Sequence, residues 1–377
     1  MATLEMELDR ISFLGMLYKA QGVVDRKSTI NVLSHLLVEP SSDGSVHVTG
    51  TDYDVVLQAK LNASIKSSGS AAINGKSLFE VVKSLDTPTV NIKTLENHWV
   101  EVIAGRSRFK LAGISAEDFP AVSTPSEVTW IGISKATFKD LIEKTAFSVS
   151  DEETRMNLNG VFFKVEPGEE NMARLTMVST DGHRLSRVIT DAEVQGYEGG
   201  EFEAIVHKKG VQEVRRLLED EASMVEVGFA RGYILLRVGE TTLTVREIED
   251  TYPDYERVIP PSSPVKVEIN RQRMIQAIRR IAILTSSKTY IVKMELGQGR
   301  LAFTTSNPDY GEGTDEIDVS YDGDGIVVGF NYTYLLDVLG VMKGDSVVLE
   351  CADGFSPTVL TSPSEPGALF VVMPMRI

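Results

Sequence analysis

One cysteine in 377 residues, Cys351, leaves no disulfide framework and no cysteine-based metal site. The five histidines, at 35, 47, 98, 183 and 207, show no paired ligand spacing, so no metal is expected, and no motif calls for a cofactor. No apolar run approaches the roughly 18 residues of a membrane helix, so no membrane partner is expected. The opening stretch MATLEMELDRISFLGMLYKA lacks a basic region followed by an apolar core, which argues against a signal peptide and for a reducing, cytoplasmic setting. Basic residues are also scarce, 38 against 54 acids, a net charge of −16. Taken whole, that balance disfavours nucleic acid as a partner, because phosphate binding needs clustered lysine and arginine.

What is present is a globular composition, 42% hydrophobic and 24% charged, on a chain long enough for two or three domains. Internal repeats favour three. Thr-Asp or Ser-Asn pairs begin at 51, 180 and 306, each between strand-like runs. The polar leaders of three helical segments, Asn74, His207 and Asn331, keep nearly the same interval. So do the aromatic–proline pairs Phe119-Pro120 and Tyr252-Pro253. Three independent features thus share a period near 128, giving expected domains at 1–127, 128–255 and 256–377. Each repeat holds two helical patterns, for example 7–27, 134–150 and 270–288 for the earlier ones, with Ser134 and Asn270 as candidate caps. The rest is alternating and β-branched with short turns. An α+β chain is expected, each repeat with two helices on about eight antiparallel strands.

Placement of charge qualifies the average. The six helical segments hold 19 of the 38 basic residues and fewer acids, whereas the remainder carries most of the 54 acids. Segment 270–288 has Arg271, Arg273, Arg279, Arg280 and Lys288 and no acid. Solvated lysine faces are common on surface helices, which is the plainer account. The sharper one is a basic helical surface turned to a polyanion, with acidic strands facing away.

The stretch MVSTDGHRLSRV (177–188) sets Asp181, His183 and Arg184 together. Asp-Gly between alternating runs signals a hairpin. Asp/His neighbours also do acid–base work, and the segment alone allows both.

GRSRFKL followed by EDFP, LNG at 158–160, TDGHRLS, YPDYERVIP and the terminus VVMPMRI, in this order along the chain, resemble the β sliding clamps of the bacterial replicative DNA polymerase, the DNA polymerase III beta subunit family. The resemblance spans essentially the whole chain. It implies three clamp domains, each of two βαβββ units, closing head to tail with a second copy into a ring whose helices line the hole and whose sheets lie outside. It implies no catalysis: a processivity factor encircling double-stranded DNA without sequence preference. Its partners would be the polymerase catalytic subunit, a clamp loader and other replication and repair proteins carrying clamp-binding peptides. The groove receiving those peptides would comprise Leu158, Thr180, Gly182, His183, Arg184, Leu185, Pro253, Arg257, Val258, Ser356, Val371, Met373, Pro374, Met375 and Arg376. Asp181 and His183 would then be a turn and a wall. DNA-facing cations would be Arg26, Arg155, Lys208, Lys209, Arg279 and Arg280, and the dimer interface Arg106, Arg108, Phe109, Ile283, Leu284, Glu312, Asp315 and Glu316.

The chain departs from the family in places. DRKSTINVL stands where relatives carry a proline-rich run, Glu152 and Glu153 flank Arg155 in a DNA-facing loop, and Ile377 replaces the usual leucine. Two readings from other classes, a hydrolase using Asp181 and His183 and a sequence-specific DNA binder, lack a supporting second motif.

Overall fold

A computed structural model describes residues 3–24, 30–122, 124–169, 172–285 and 290–377; Arg26 and Lys288 lie outside them. Six helices alternate with 25 strands among these residues: α1 (Arg10–Ala20), α2 (Gly75–Ser84), α3 (Lys135–Thr145), α4 (Lys208–Leu217), α5 (Arg271–Ala282) and α6 (Tyr332–Val341). Each helix follows one strand and precedes three, so βαβββ recurs six times, with the short strand Gly113–Ile114 added after the second unit. Helix starts are fixed by side-chain oxygens accepting the first free N–H groups: Asp9 from Ser12, Asn74 from Ser77, Asn270 from Arg273 and Asn331 from Thr333. The helix expected from residue 7 begins at Arg10, because Leu4–Asp9 alternates buried and half-buried and pairs as a strand. No helix of the described residues is long and apolar enough to cross a membrane.

The chain packs as two compact units. One holds Met1–Lys139, Glu193–Glu198 and Lys209–Glu247. In it, α1 packs on α2, and strand Val55–Ser68 pairs at its start with Thr241–Arg246, running from Val55↔Val245 to Ala59↔Thr241. Late in the first repeat, Ser107–Leu111 pairs with Val100–Ala104 and, among the described residues, with nothing on its other side, while the short strand Gly113–Ile114 that follows pairs with Ala71–Asn74.

The second unit holds Asp140–Ala192, Gly199–Lys208 and Ile248–Ile377. Here Arg184–Gln195 pairs with Glu365–Val372, from Arg184↔Val372 to Val188↔Ala368. A four-stranded sheet orders Gly311–Asp318, Arg300–Asn307, Ile291–Gly297 and Ile326–Asn331, leaving Gly311–Asp318 at an edge beside α5. The two long-range pairings are the same event repeated. In each, the strand after one repeat's polar turn joins the last strand of the following repeat.

A basic residue recurs ten positions into the first helix of every repeat. Lys19 meets Asp220 at 2.5 Å, Lys144 meets Asp140 at 2.5 Å and also Glu365, and Arg280 meets Asp315. Their surroundings differ. A cavity of about 730 Å³ lies beside Lys19, bounded by Gly15, Lys60, Arg216 and Glu240. Gly15 occupies the helical position of Asp140, and around Lys144 the space is filled by charge. Glu365 also accepts the Lys343 backbone N–H at 2.7 Å. Burial opposes ionisation of Asp140, but bonds from Lys144 and Lys343 outweigh it and hold its carboxyl below the usual range. Its contribution is present above the ordinary carboxylate range and is lost as pH falls through it.

With Lys144 4% exposed and Glu365 9%, removing the ammonium strands buried carboxylate. Lys144→Met should cost about 2–4 kcal/mol in urea unfolding at neutral pH. Lys19→Met, at the more open junction, should cost about 1 kcal/mol or less. Equal costs would mean that burial of the cluster is not what stabilises it.

Candidate functional site

The TDGHR stretch folds as a hairpin turn. Gly182 takes φ +84°, and Asp181 Oδ1 accepts the backbone N–H groups of His183 and Arg184, both at 2.9 Å. Asp181 Oδ2 accepts from Arg184 Nε at 3.1 Å, so the carboxylate is fully used by its own turn. The exposed His183 ring lies alongside Tyr334, centroids 6.4 Å apart. No acid–base pair forms.

Arg184 is the post behind this turn. Its guanidinium lies 4.5 Å from the Tyr334 ring centre and 5.2 Å from that of Phe147, and it donates to Asp337 and to the Phe147 carbonyl, each at 2.5 Å. Each of its three nitrogens makes a bond within the chain, and these bonds together with the two rings hold Arg184 in place as part of the site's framework.

The other expected groove residues gather around that post unevenly. Leu185 and Val371 are buried with Val178 and Val359, and Phe162, Tyr252, Tyr255, Ile259 and Leu369 pack against them. Phe162 stacks on Tyr252 at 5.1 Å, setting the course of the chain into Pro253. The turn Tyr255–Val258 leaves Val258 43% exposed and Arg257 bonded to Asp254 at 2.7 Å. Leu158 is buried. The tail is tied on both sides: Met373 N donates to the His183 carbonyl and Met375 N to Gly329, each at 2.8 Å. Pro374 lies half-buried between them and Arg376 is exposed. Ser356 stands apart, held by Asp353 in a loop whose Gly354 abuts the Val327 carbonyl. Sequence reasoning missed Tyr334, Phe147 and Asp337. Nothing in α6 or the segment after α3 marks them, since their role exists only once Arg184 arrives between them. Phe355, in the same loop as Ser356, is 82% exposed.

The expected cations are mostly paired. Lys208 meets Asp151, Lys209 meets Asp52, Arg280 meets Asp315, and Arg155 meets Glu152 at 3.1 Å. Arg155 also lies where a side chain on Gly182 would stand, 2.7 Å from that point, which brings it to the groove turn. Arg279 is exposed.

Of the expected interface, Arg108 is exposed on the free edge strand, Arg106 is exposed in the turn before it and Phe109 is half-buried. Ile283 is 75% exposed, so it is not a core residue, while Leu284 packs towards Gly313. Glu312 accepts from Ser306 at 3.0 Å, and Glu316 lies 3.6 Å from Arg300.

A βαβββ unit recurring six times, with antiparallel strand pairings joining successive repeats, defines a clamp fold. Three models of the DNA polymerase III beta subunit match in order, the N-terminal domain over residues 4–123, the central domain over 132–254 and the C-terminal domain over 256–376. The chain belongs to that family, the beta sliding clamps, non-catalytic processivity subunits of DNA polymerase III. It is 33% identical to the beta sliding clamp of Pseudomonas putida over 98% of this chain and 99% of that protein. A Caulobacter crescentus clamp crystallised with polyethylene glycol superposes with a TM-score of 0.92 at 31% identity, covering 100% of this chain and 99% of that one. A Bartonella birtlesii clamp bound to griselimycin gives 0.92 at 28% identity, covering 100% of both.

Arg184 is 11% exposed and makes three charge-assisted bonds, so Arg184→Ala should cost at least about 2 kcal/mol in urea unfolding. His183→Ala, on the exposed side of the same turn, should stay within about 0.5 kcal/mol. A larger loss from His183 would reverse their roles as wall and post.

Proposed function

We propose that two copies of this chain close head to tail around duplex DNA, with domains near 1–127, 128–255 and 256–377. The helices face DNA, and the groove built on Leu158, Thr180, Gly182–Leu185, Pro253, Arg257, Val258, Ser356, Val371 and Met373–Arg376 takes peptides from the polymerase catalytic subunit, a clamp loader and other replication and repair proteins in the cytoplasm. One observation carries the ring. Two of the three junctions that a six-domain circle needs per chain already exist as strand pairings, and the strands of the third, Ser107–Leu111 and Gly311–Asp318, are open edges. Unpaired edges of this kind invite another chain.

The internal repeat even supplies the register. Thr51↔Val56 closes one polar turn and Ser306↔Glu312 another, making Gly311 the counterpart of Val55. Gly239 and Gly105, both at positive φ, make Ser107 and Leu111 the counterparts of Thr241 and Val245. Transferring Val55↔Val245 then places Gly311 opposite Leu111 of the second copy and Glu312 opposite its Lys110. Gly313 comes opposite Phe109, and Glu316 opposite Arg106. One face sets acids against bases; the other lays Phe109 over the glycine beside Leu284.

Reversing Glu312 and Glu316 to lysine should weaken the dimer at least about tenfold in sedimentation, since like charges across an interface cost several kcal/mol. Adding Arg106→Glu and Lys110→Glu should restore it; a fourfold variant that folds yet stays monomeric would show the register to be wrong.

Encirclement has its own test. Loaded by an ATP-driven opener, the wild-type ring should remain on nicked circular DNA and leave once the circle is cut. Equal retention on circles and on linear DNA with free ends would show that contacts do the holding.

A further inference from the structure

The acids beside the expected DNA-facing cations are placed to do more than dilute charge. Segment 150–155 is a constrained loop. Ser150 N donates to the Leu158 carbonyl at 3.0 Å, Glu152 N to Ser150 Oγ at 3.1 Å, and Arg155 N to the Glu152 carbonyl at 3.1 Å. Lys208 N donates to the Asn159 carbonyl at 2.8 Å, which fixes the start of α4 next to the loop's far end. These bonds aim the Asp151 carboxylate at the Lys208 ammonium and the Glu152 carboxylate at the Arg155 guanidinium. Neither acid is needed for packing, since Asp151 is 86% exposed and Glu152 53%.

Resting on the DNA-encircling reading, we propose that this loop is a built-in competitor for backbone phosphate. Asp151 and Glu152 occupy Lys208 and Arg155 whenever DNA is distant. A carboxylate and a phosphate present the same kind of oxygen to a cation, so DNA must displace the loop before it gains the contact. The displaced carboxylates then remain nearby as like charges. Cations already neutralised also condense fewer new charges on binding, so fewer counterions leave the DNA and the salt dependence flattens. Exposed ion pairs are weak, so the exchange stays reversible on every step of a sliding ring.

The test is equilibrium binding of the full-length dimer to a short linear duplex across a salt series. Asp151→Asn with Glu152→Gln should tighten binding about threefold to tenfold near 0.1 M salt and steepen the slope of log affinity against log salt by about one to two. Asp191→Asn with Glu193→Gln removes the same charge from strand Arg184–Gln195 and should change neither. Adding Lys208→Gln and Arg155→Gln to the first pair should erase its gain. No gain from the first pair, an equal gain from the control pair, or a gain that survives loss of the two cations would each overturn the proposal. Retention of the wild-type ring on nicked circles separates the two levels. A ring retained there with a silent Asp151/Glu152 variant refutes only the competitor, whereas a ring not retained refutes the encirclement on which it depends.

Discussion

Backbone hydrogen bonding at sheet edges sets the terms for this molecule. A strand that ends a sheet leaves a row of N–H and C=O groups without protein partners, and a chain that does not cover them must protect them or use them. Twice within the chain the edge is used: Val55–Ala59 takes up Thr241–Val245, and Arg184–Val188 takes up Ala368–Val372. The sequence repeat makes these two pairings versions of one design. The third version has no partner among the described residues, and its two sides carry opposite charge, Arg108 and Lys110 on one strand with Arg106 in the turn before it, and Glu312, Asp315 and Glu316 on the other. Charge of one sign along an edge guards against pairing with its own kind while inviting its complement.

The same junctions concentrate the ion pairs. Lys19, Lys144 and Arg280 occupy one helical position in successive repeats and each finds carboxylate, though from different places. The pair nearest the open edge, Arg280 with Asp315, ties α5 to the edge strand Gly311–Asp318. That acid is therefore committed within the chain, as is Glu316 towards Arg300. On the ring reading, closure adds bases to acids already half satisfied. Much of the specificity must then come from strand register and from Phe109 against Gly313, and less from raw Coulomb attraction.

Repetition is why so much of the fold was legible. Turn residues, helix leaders and aromatic–proline pairs recur because each repeat solves the same folding problem, so their spacing exposes the architecture before any contact is known. Asn270 caps its helix as its side chain predicts. The end of strand Leu4–Asp9 falls where the pattern predicts helix, because Glu7 and Asp9 fit the polar face of a helix equally well until pairing with Thr89–Thr94 decides. The turn at Asp181–Gly182 was legible as a hairpin from its Asp-Gly pair, but the course of the Arg184 side chain was not. Only the positions of Phe147, Tyr334 and Asp337, more than 30 residues away on either side, turn it inward. Arg155 is similar: its sequence neighbours mark a loop, and its nearness to Gly182 is a fact of tertiary structure.

The pairing of nearly every candidate cation changes what the basic helices can be for. If tight phosphate contact were the purpose, acids such as Asp151 and Glu152 would be the wrong neighbours, since each opposes a contact at small gain in stability. For an object that must pass every sequence at the same rate, strong contacts are a liability, because deep electrostatic wells slow translation as surely as base readout does. Self-neutralised cations keep the local field favourable without deepening any one well. Holding power must then reside elsewhere, and the open edges supply the place. On the ring reading, residence on DNA is governed by the strand ladder that closes the circle, and the helices need only keep DNA from repelling a chain of net charge −16.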